Sequence, residues 1–157
     1  MVLLTKIAHM EADGLFQLVN GTAMIAWLLL IIIPNLKITR VLVKSGIALL
    51  FLGGVYAILI VSFFNVDNMQ DFSTLDGVMS LFTDPMGVVA GWTHYLAFDL
   101  FVGMWITADG AKNGVNRWWL LPCQILTFMF GPMGFLCYYA VRFFVTKSVS
   151  SNLMGGE

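Results

Sequence analysis

The sequence predicts an all-α membrane protein with four transmembrane helices. Of its 157 residues, 59% are hydrophobic and only 11% are charged, whereas a soluble domain has about 25% charged residues. Too few polar side chains remain to cover a globular surface. The apolar residues are also grouped into long spans that are separated by polar connections. We therefore expect a single polytopic membrane domain over residues 1–157.

Each predicted helix is long enough to cross a bilayer, which takes about 17 residues or more. The four spans cover residues 15–33, 41–64, 86–108 and 118–144. Pro34 ends the first span, and Asp84 followed by Pro85 is typical of a capped helix start, here that of the third span. The fourth span contains Gly-Pro-Met-Gly at 131–134, where we expect a kink because proline lacks a backbone donor.

The charges of the connections predict the orientation in the membrane. The connections after the first and third spans are basic, whereas the long connection 65–85 has no Lys or Arg. Its acidic residues are Asp67, Asp71, Asp76 and Asp84. Since basic connections stay in the cytoplasm, we expect both termini outside, in a bacterial inner membrane. Arg142 and Lys147 favour the opposite side for the C-terminus.

The acidic connection also contains a short amphipathic helix by pattern. Leu75, Val78, Met79 and Phe82 recur at the spacing of one helical face. Ser73, three residues before an aspartate, resembles an N-terminal cap. We expect this helix to lie at the membrane interface between the second and third spans, or partly over the bundle as a lid.

The two cysteines predict neither a disulfide nor a metal site. Cys123 and Cys137 are 14 residues apart in the predicted fourth helix, which corresponds to about 21 Å. A disulfide needs Cα atoms within about 7 Å, so we expect both to be separate, small core residues. No metal-ligand spacing and no strong cofactor motif is present, so neither is predicted. The absence of a basic patch argues against nucleic acid as a partner.

Asp99 is the most informative single residue. It lies near the middle of the third span, about 20 Å from one end and about 13 Å from the other. A carboxyl at this depth costs about 2.5–3.5 kcal/mol to insert, and such residues usually face the bundle interior and serve function. His94 is the other ionisable residue deep in a span. We take the two as a candidate acid–base pair, although they point about 140° apart around the helix.

Depth and helical position also suggest neighbours for this pair. Thr127 in the fourth span lies at about the level of Asp99, and Trp92 shares the face of Asp99. Asn20 in the first span is expected within reach of His94. We expect an apolar groove that leads to His94 and Asp99 and accepts a ring-shaped end of a ligand, because small residues surround the pair. These residues, which could instead let another helix approach closely, are Ala90, Gly91, Ala97 and Gly103.

Three segments resemble the neoxanthin-synthase-like family, of the abscisic-acid-deficient type. They are NGTAMIAWLLLIIIP from position 20, GWTHYLAFDLFVGMWITADG from position 91, and PCQILTFMFGPMGFLCYY from position 122. The resemblance covers roughly residues 16–139 and implies four membrane helices and a link to xanthophyll metabolism. It supplies no proven catalytic set. The matching motif positions are Asn20, Trp27, His94, Asp99, Phe101, Gly131, Pro132 and Gly134.

The resemblance makes a carotenoid or another isoprenoid-like lipid the expected ligand. Opening an epoxy-carotenoid to its allenic isomer needs one acid at the epoxide oxygen and one base at the adjacent polyene carbon. Asp99 and His94 are our candidates for these roles, without a redox cofactor. The protein could also bind such a lipid without changing it.

Other functions stay open at this level. The chain could be an accessory or assembly subunit of a larger membrane complex, or a proton-coupled carrier that works as a homo-oligomer through Asp99. Ligation of a haem by His9 and His94 is disfavoured, because His9 precedes the first span while His94 lies about 12 Å below the surface. A purely structural role for Asp99, hydrogen-bonded between helices, is the remaining alternative.

Overall fold

The computed structural model describes residues 2–63 and 73–147. Within these two ranges every regular element is a helix, which confirms the predicted all-α class. The elements are α1 (Val2–Ile32), α2 (Lys37–Thr39), a π-helical turn (Arg40–Lys44), α3 (Ile47–Phe63), α4 (Leu75–Leu81), α5 (Pro85–Lys112), α6 (Arg117–Phe130) and α7 (Pro132–Thr146). Phe64, Asp67 and Asp71 of the sequence analysis lie outside the described residues, as does the side chain of His9. The chain forms two compact units, residues 1–98 and 99–157.

In the first unit, α1 packs against α2, the π-helical turn and α3. The chain reverses after Pro34, and buried Thr39 secures the reversal by donating its hydroxyl to the carbonyl of Ile33 at 2.7 Å. The same carbonyl also accepts from the backbone N–H of Leu36 at 3.2 Å. Gly46, with φ +86°, then supplies the left-handed residue that lets α3 begin.

The apolar core of the first unit joins three helices. Ala12 of α1, Leu59 of α3, and Val89 and Ala90 of α5 are all buried in one cluster. Alanine at two of these positions keeps side chains short where helices meet, as small residues do in helix packing. The first half of α5 is thereby held against α1 and α3.

The segment before α5 differs in one detail from the prediction. Thr74, not Ser73, caps α4, because its hydroxyl oxygen accepts from the backbone N–H of Gly77 at 3.1 Å. The cap of α5 is confirmed: Asp84 Oδ1 accepts from the backbone N–H groups of Met86 at 2.8 Å and Gly87 at 3.1 Å. The interfacial position of α4 stays a prediction.

The second unit contains the rest of α5 together with α6 and α7. Its core includes Ile106 of α5, Leu120 and Cys123 of α6, and Tyr138 of α7. The side chains of α7 thus reach α5 as well as α6.

The predicted fourth span is two helices rather than one kinked helix. α6 ends at Phe130 and α7 begins at Pro132, and the two helices fold back on each other. The sulfur atoms of Cys123 and Cys137 are only 3.5 Å apart. The expected separation of about 21 Å is therefore wrong, because Gly131 with φ +50° reverses the chain between the two cysteines.

Two stretches are long and apolar enough to cross a membrane by length and composition: Glu11–Ile32 and Lys37–Ser62. α6 and α7 have 14 and 15 residues, about 21–22 Å of helix. Each is shorter than a hydrocarbon core of about 30 Å. The count of four spans stays a prediction.

Candidate functional site

Asp99 is buried in the second unit, with 8% of its surface exposed. Its carboxylate lies against Gly131, at the turn between α6 and α7. A Cβ atom at Gly131 would come within 2.7 Å of Asp99 Oδ1 and 3.2 Å of Oδ2. The carboxylate therefore occupies the space that a side chain at the turn would need.

Gly131 meets two separate requirements. Its backbone angles, φ +50° and ψ −102°, are rarely adopted by residues with a side chain. Its N–H donates to the Thr127 carbonyl at 2.8 Å and closes α6. Pro132 then occupies the first turn of α7, where no intrahelical donor is needed. The turn and its contact with Asp99 thus depend on the same glycine.

Gly134 brings α7 to backbone contact with α6. A Cβ at this position would overlap the side chain and backbone of Thr127 and the carbonyl oxygen of Cys123. Thr127 is fully buried and donates its hydroxyl to the Cys123 carbonyl at 2.8 Å, within its own helix. The Gly131 backbone therefore lies against Asp99, and Thr127 supports the packing of α7 on α6; a contact between Thr127 and Asp99 stays a prediction.

Three polar contacts join the later part of α5 to α6 and α7. Gln124 Nε2 donates to Thr107 Oγ1 at 2.7 Å. Asp109 Oδ2 accepts from the Tyr138 hydroxyl at 2.5 Å and lies 2.9 Å from Arg142 Nε in an ion pair. The pair is well enclosed, with side-chain exposures of 6% for Arg142 and 15% for Asp109.

The sequence did not predict this network around Asp109, and Arg142 entered only the prediction of orientation. Tyr138 and Arg142 are four residues apart, a spacing that places both on one helical face. That spacing was the available signal, but pairing it with Asp109 requires the α6–α7 hairpin, which the sequence did not indicate.

His94 lies in the first unit and is exposed. Its ring centroid is 5.2 Å from that of Tyr56 in α3 and 4.6 Å from that of Phe98, one turn further along α5. The imidazole thus belongs to an aromatic surface group. Phe101, which continues α5 in the second unit, is also exposed, at 54%.

Asn20 pairs with Trp92. The sequence had predicted that Asn20 would lie within reach of His94. The Trp92 indole Nε1 donates to Asn20 Oδ1 at 2.9 Å, and Asn20 Nδ2 donates to the Phe16 carbonyl at 2.9 Å. The amide is thereby held from both ends. The Trp92 ring also lies near the rings of Phe16 and Tyr95, at 5.9 and 5.3 Å.

The remaining motif residue of α1, Trp27, is only 2% exposed and serves the packing of the first unit. Gly91 does not leave open space for a ligand ring. A Cβ there would come within 2.7 Å of the Phe82 ring, so that ring already covers the position. The small residue allows close packing at this point of α5.

A mostly apolar groove of about 290 Å³ runs along the first unit between α1, the π-helical turn and α3. Neither His94 nor Asp99 lines it. Its walls are formed by Thr22, Ile25, Ala26, Leu29, Leu42, Val43, Ile47, Ala48 and Phe51. Among the described residues, no group of three or more His, Cys, Asp or Glu side chains could hold a metal ion.

Comparison with known proteins gives a family relationship. The sequence model of a family described as ABA DEFICIENT 4-like matches residues 14–138. Among curated proteins, the chain is similar to Protein ABA DEFICIENT 4, chloroplastic, from Arabidopsis thaliana, with 24% identity over 148 residues. The match covers 90% of this chain and 64% of the relative, so the chain spans less than two thirds of that protein's length. No solved structure matches the chain.

Proposed function

The chain belongs to the ABA DEFICIENT 4-like family, and we propose that it binds a carotenoid-like lipid and isomerises it by acid–base chemistry. The observation that carries this proposal is the enclosed carboxyl of Asp99 against the Gly131 turn. The resemblance to neoxanthin-synthase-like proteins supports the class of ligand. The relative's name speaks of abscisic-acid deficiency and a chloroplast location, which is compatible with a role in carotenoid metabolism.

Asp99 is the proposed acid. In its protonated form it donates the proton to the oxygen of a substrate epoxide while the carbon–oxygen bond breaks. Burial favours this role because water does not compete for the proton within an enclosed site. Gly131 holds the carboxyl in place, since the backbone at the turn limits where the two oxygens can lie.

His94 is the proposed base. A neutral imidazole removes a proton from the polyene carbon beside the opening epoxide, and the electron pair of that bond forms the new double bond. The proton given by the acid equals the proton taken by the base, so the substrate keeps its formula and its oxidation state. The exposure of His94 supports access from the surrounding lipid.

The groove of the first unit supports binding of a long apolar molecule. Its volume of about 290 Å³ is at the lower end of ligand sites, which run from about 300 Å³ upward. It could accept part of a polyene chain rather than a whole carotenoid. Thr22 is its polar side chain, and the rest of the lining is apolar.

Pigment analysis tests this function. The chain would be expressed in a carotenoid-producing host, and pigment would be extracted from cells and from the purified protein. We expect bound or altered carotenoid with the wild type, and loss of the altered product with Asp99→Asn and with His94→Ala. Thr74→Ala, which removes only the cap of α4, is the control and should behave as the wild type.

Each other outcome decides against part of the proposal. If both variants bind the same pigment as the wild type, the protein binds a carotenoid without changing it. No pigment with the wild type would refute the carotenoid function. Co-purification of other membrane subunits, in that case, would support the accessory role instead.

For the membrane arrangement we propose three spans followed by a hairpin that enters from the cytoplasmic side and returns to it. The Asp109–Arg142 ion pair supports this, because it holds the end of α7 beside the end of α5. Lys147 at the end of α7 then lies on the same side as Lys112 and Arg117, as expected for cytoplasmic basic residues.

This arrangement revises the predicted location of the C-terminus while the N-terminus stays outside. Reporter fusions after Asn35 and after Lys147 should both report cytoplasm. A fusion after Thr83, in the acidic connection, should report the exterior. An exterior signal after Lys147 would restore the fourth crossing that the sequence had predicted.

A further inference from the structure

The α6–α7 hairpin brings together the two cysteines of the sequence. Cys123 Sγ and Cys137 Sγ are 3.5 Å apart, and both are free thiols. Cys123 Sγ also lies 3.2 Å from the Trp119 carbonyl oxygen. The proposed isomerisation does not use these sulfur atoms, so their contact needs a separate explanation.

We propose that Cys123 and Cys137 are a modification site, at which a hydroperoxide converts the thiol pair reversibly into a disulfide that locks α6 to α7. A disulfide requires the sulfur atoms to approach to about 2.05 Å and the Cα atoms to lie within about 7 Å. The observed sulfur contact leaves only a short movement, which side-chain rotation can supply.

The backbone around the pair is already close. Gly134, one turn before Cys137 in α7, has no room for a Cβ because the Cys123 carbonyl and Thr127 fill that space. The two helices therefore approach as closely as backbones allow at this level. A disulfide can form here without moving either helix axis far.

Burial assigns the order of the two chemical steps. Cys123 is fully buried, whereas Cys137 is partly exposed. The Cys137 thiolate attacks the outer oxygen of the hydroperoxide, the O–O bond breaks, and an alcohol leaves with the thiol proton. Cys123 sulfur then attacks the resulting sulfenic acid and displaces water, which carries the second thiol proton. Two thiols and one hydroperoxide thus give one disulfide, one alcohol and one water.

The thiol chemistry stands independently of the carotenoid function. An effect of the disulfide on isomerisation rests on the proposed function. Such an effect is expected because the loop that the disulfide closes includes Gly131, which contacts Asp99. Failure of the pigment assay would therefore leave the thiol chemistry testable, and failure of the thiol assay would leave the pigment assay untouched.

The test uses the full chain purified in detergent and treated with tert-butyl hydroperoxide. The protein is then denatured, alkylated with N-ethylmaleimide and weighed by mass spectrometry. We expect the oxidised wild type to take up no N-ethylmaleimide and to weigh two hydrogen atoms less than the reduced, unalkylated chain. Dithiothreitol should restore both thiols. Oxidation should raise the Tm of the wild type.

Two single variants provide matched controls. Cys123→Ser leaves Cys137 without a partner, and dimedone should then trap its sulfenic acid. Cys137→Ser should keep its one thiol and show no rise in Tm. The proposal would be overturned if the wild type kept both thiols under conditions that oxidise Cys137 in Cys123→Ser, or if its disulfides joined separate chains.

Discussion

Substitution of Gly131 by alanine tests the contact on which the candidate site depends. The new Cβ would stand 2.7 Å from Asp99 Oδ1, and real Cβ atoms essentially never approach other atoms closer than 3.0 Å. A sparsely populated backbone conformation such as φ +50° with ψ −102° costs a residue with a side chain about 1–3 kcal/mol. Displacing the buried carboxyl from its surroundings adds about 1–3 kcal/mol. We therefore expect Gly131→Ala to lower the free energy of unfolding by the sum of both costs.

Gly114→Ala is the matched control. Gly114 also has a positive φ, +66°, but a Cβ there would meet nothing within 4 Å, so this variant has only the backbone cost. Thermal unfolding in detergent, followed by tryptophan fluorescence, measures both variants, at about 2–4 °C per kcal/mol. In an Asp99→Ala background the extra cost of Gly131→Ala should disappear. An unchanged Tm loss for Gly131→Ala in that background would refute the contact between the turn and Asp99.

Three further substitutions test the polar contacts that hold α5, each by the same unfolding assay. Asn20→Ala removes the acceptor of the Trp92 indole and should cost about 1 kcal/mol; an unchanged Tm would argue against this bond between α1 and α5. Asp109→Ala removes the carboxylate that pairs with the buried guanidinium of Arg142 and should cost about 3 kcal/mol or more, so a loss below that of Asn20→Ala would contradict a buried ion pair. Asp84→Ala removes the cap of α5 and should cost about 1 kcal/mol, and a cost near zero would show that the cap bonds are not needed.

The sequence was most reliable where local chemistry decides the structure. Asp84 followed by Pro85 predicted the start of α5 because a capping carboxylate and a residue without N–H suit the first turn of any helix. The sequence predicted the cap of α4 one residue too early, because Ser73 and Thr74 carry equivalent hydroxyls. Only the backbone geometry selects Thr74 as the residue whose oxygen meets the Gly77 N–H.

Pairings between helices were harder to predict. Counting depth along straight helices assigned Thr127 to Asp99 and Asn20 to His94. The structure places Gly131 at Asp99, which depth counting did not predict, and it pairs Asn20 with Trp92. Depth counting gives a level in the membrane but neither the rotation of each helix nor the side chain that has enough room.

The sequence by itself determined the helical class, the apolar character of the chain and its family, because composition, periodicity and motif residues are all local properties. The reversal at Gly131 was decided by tertiary structure. Gly-Pro is compatible with a mild kink or with a complete turn, and only the packing of α7 on α6, through Gly134, selects the turn. That choice brings Cys123 to Cys137 and Arg142 to Asp109, two contacts that a continuous helix would hold far apart.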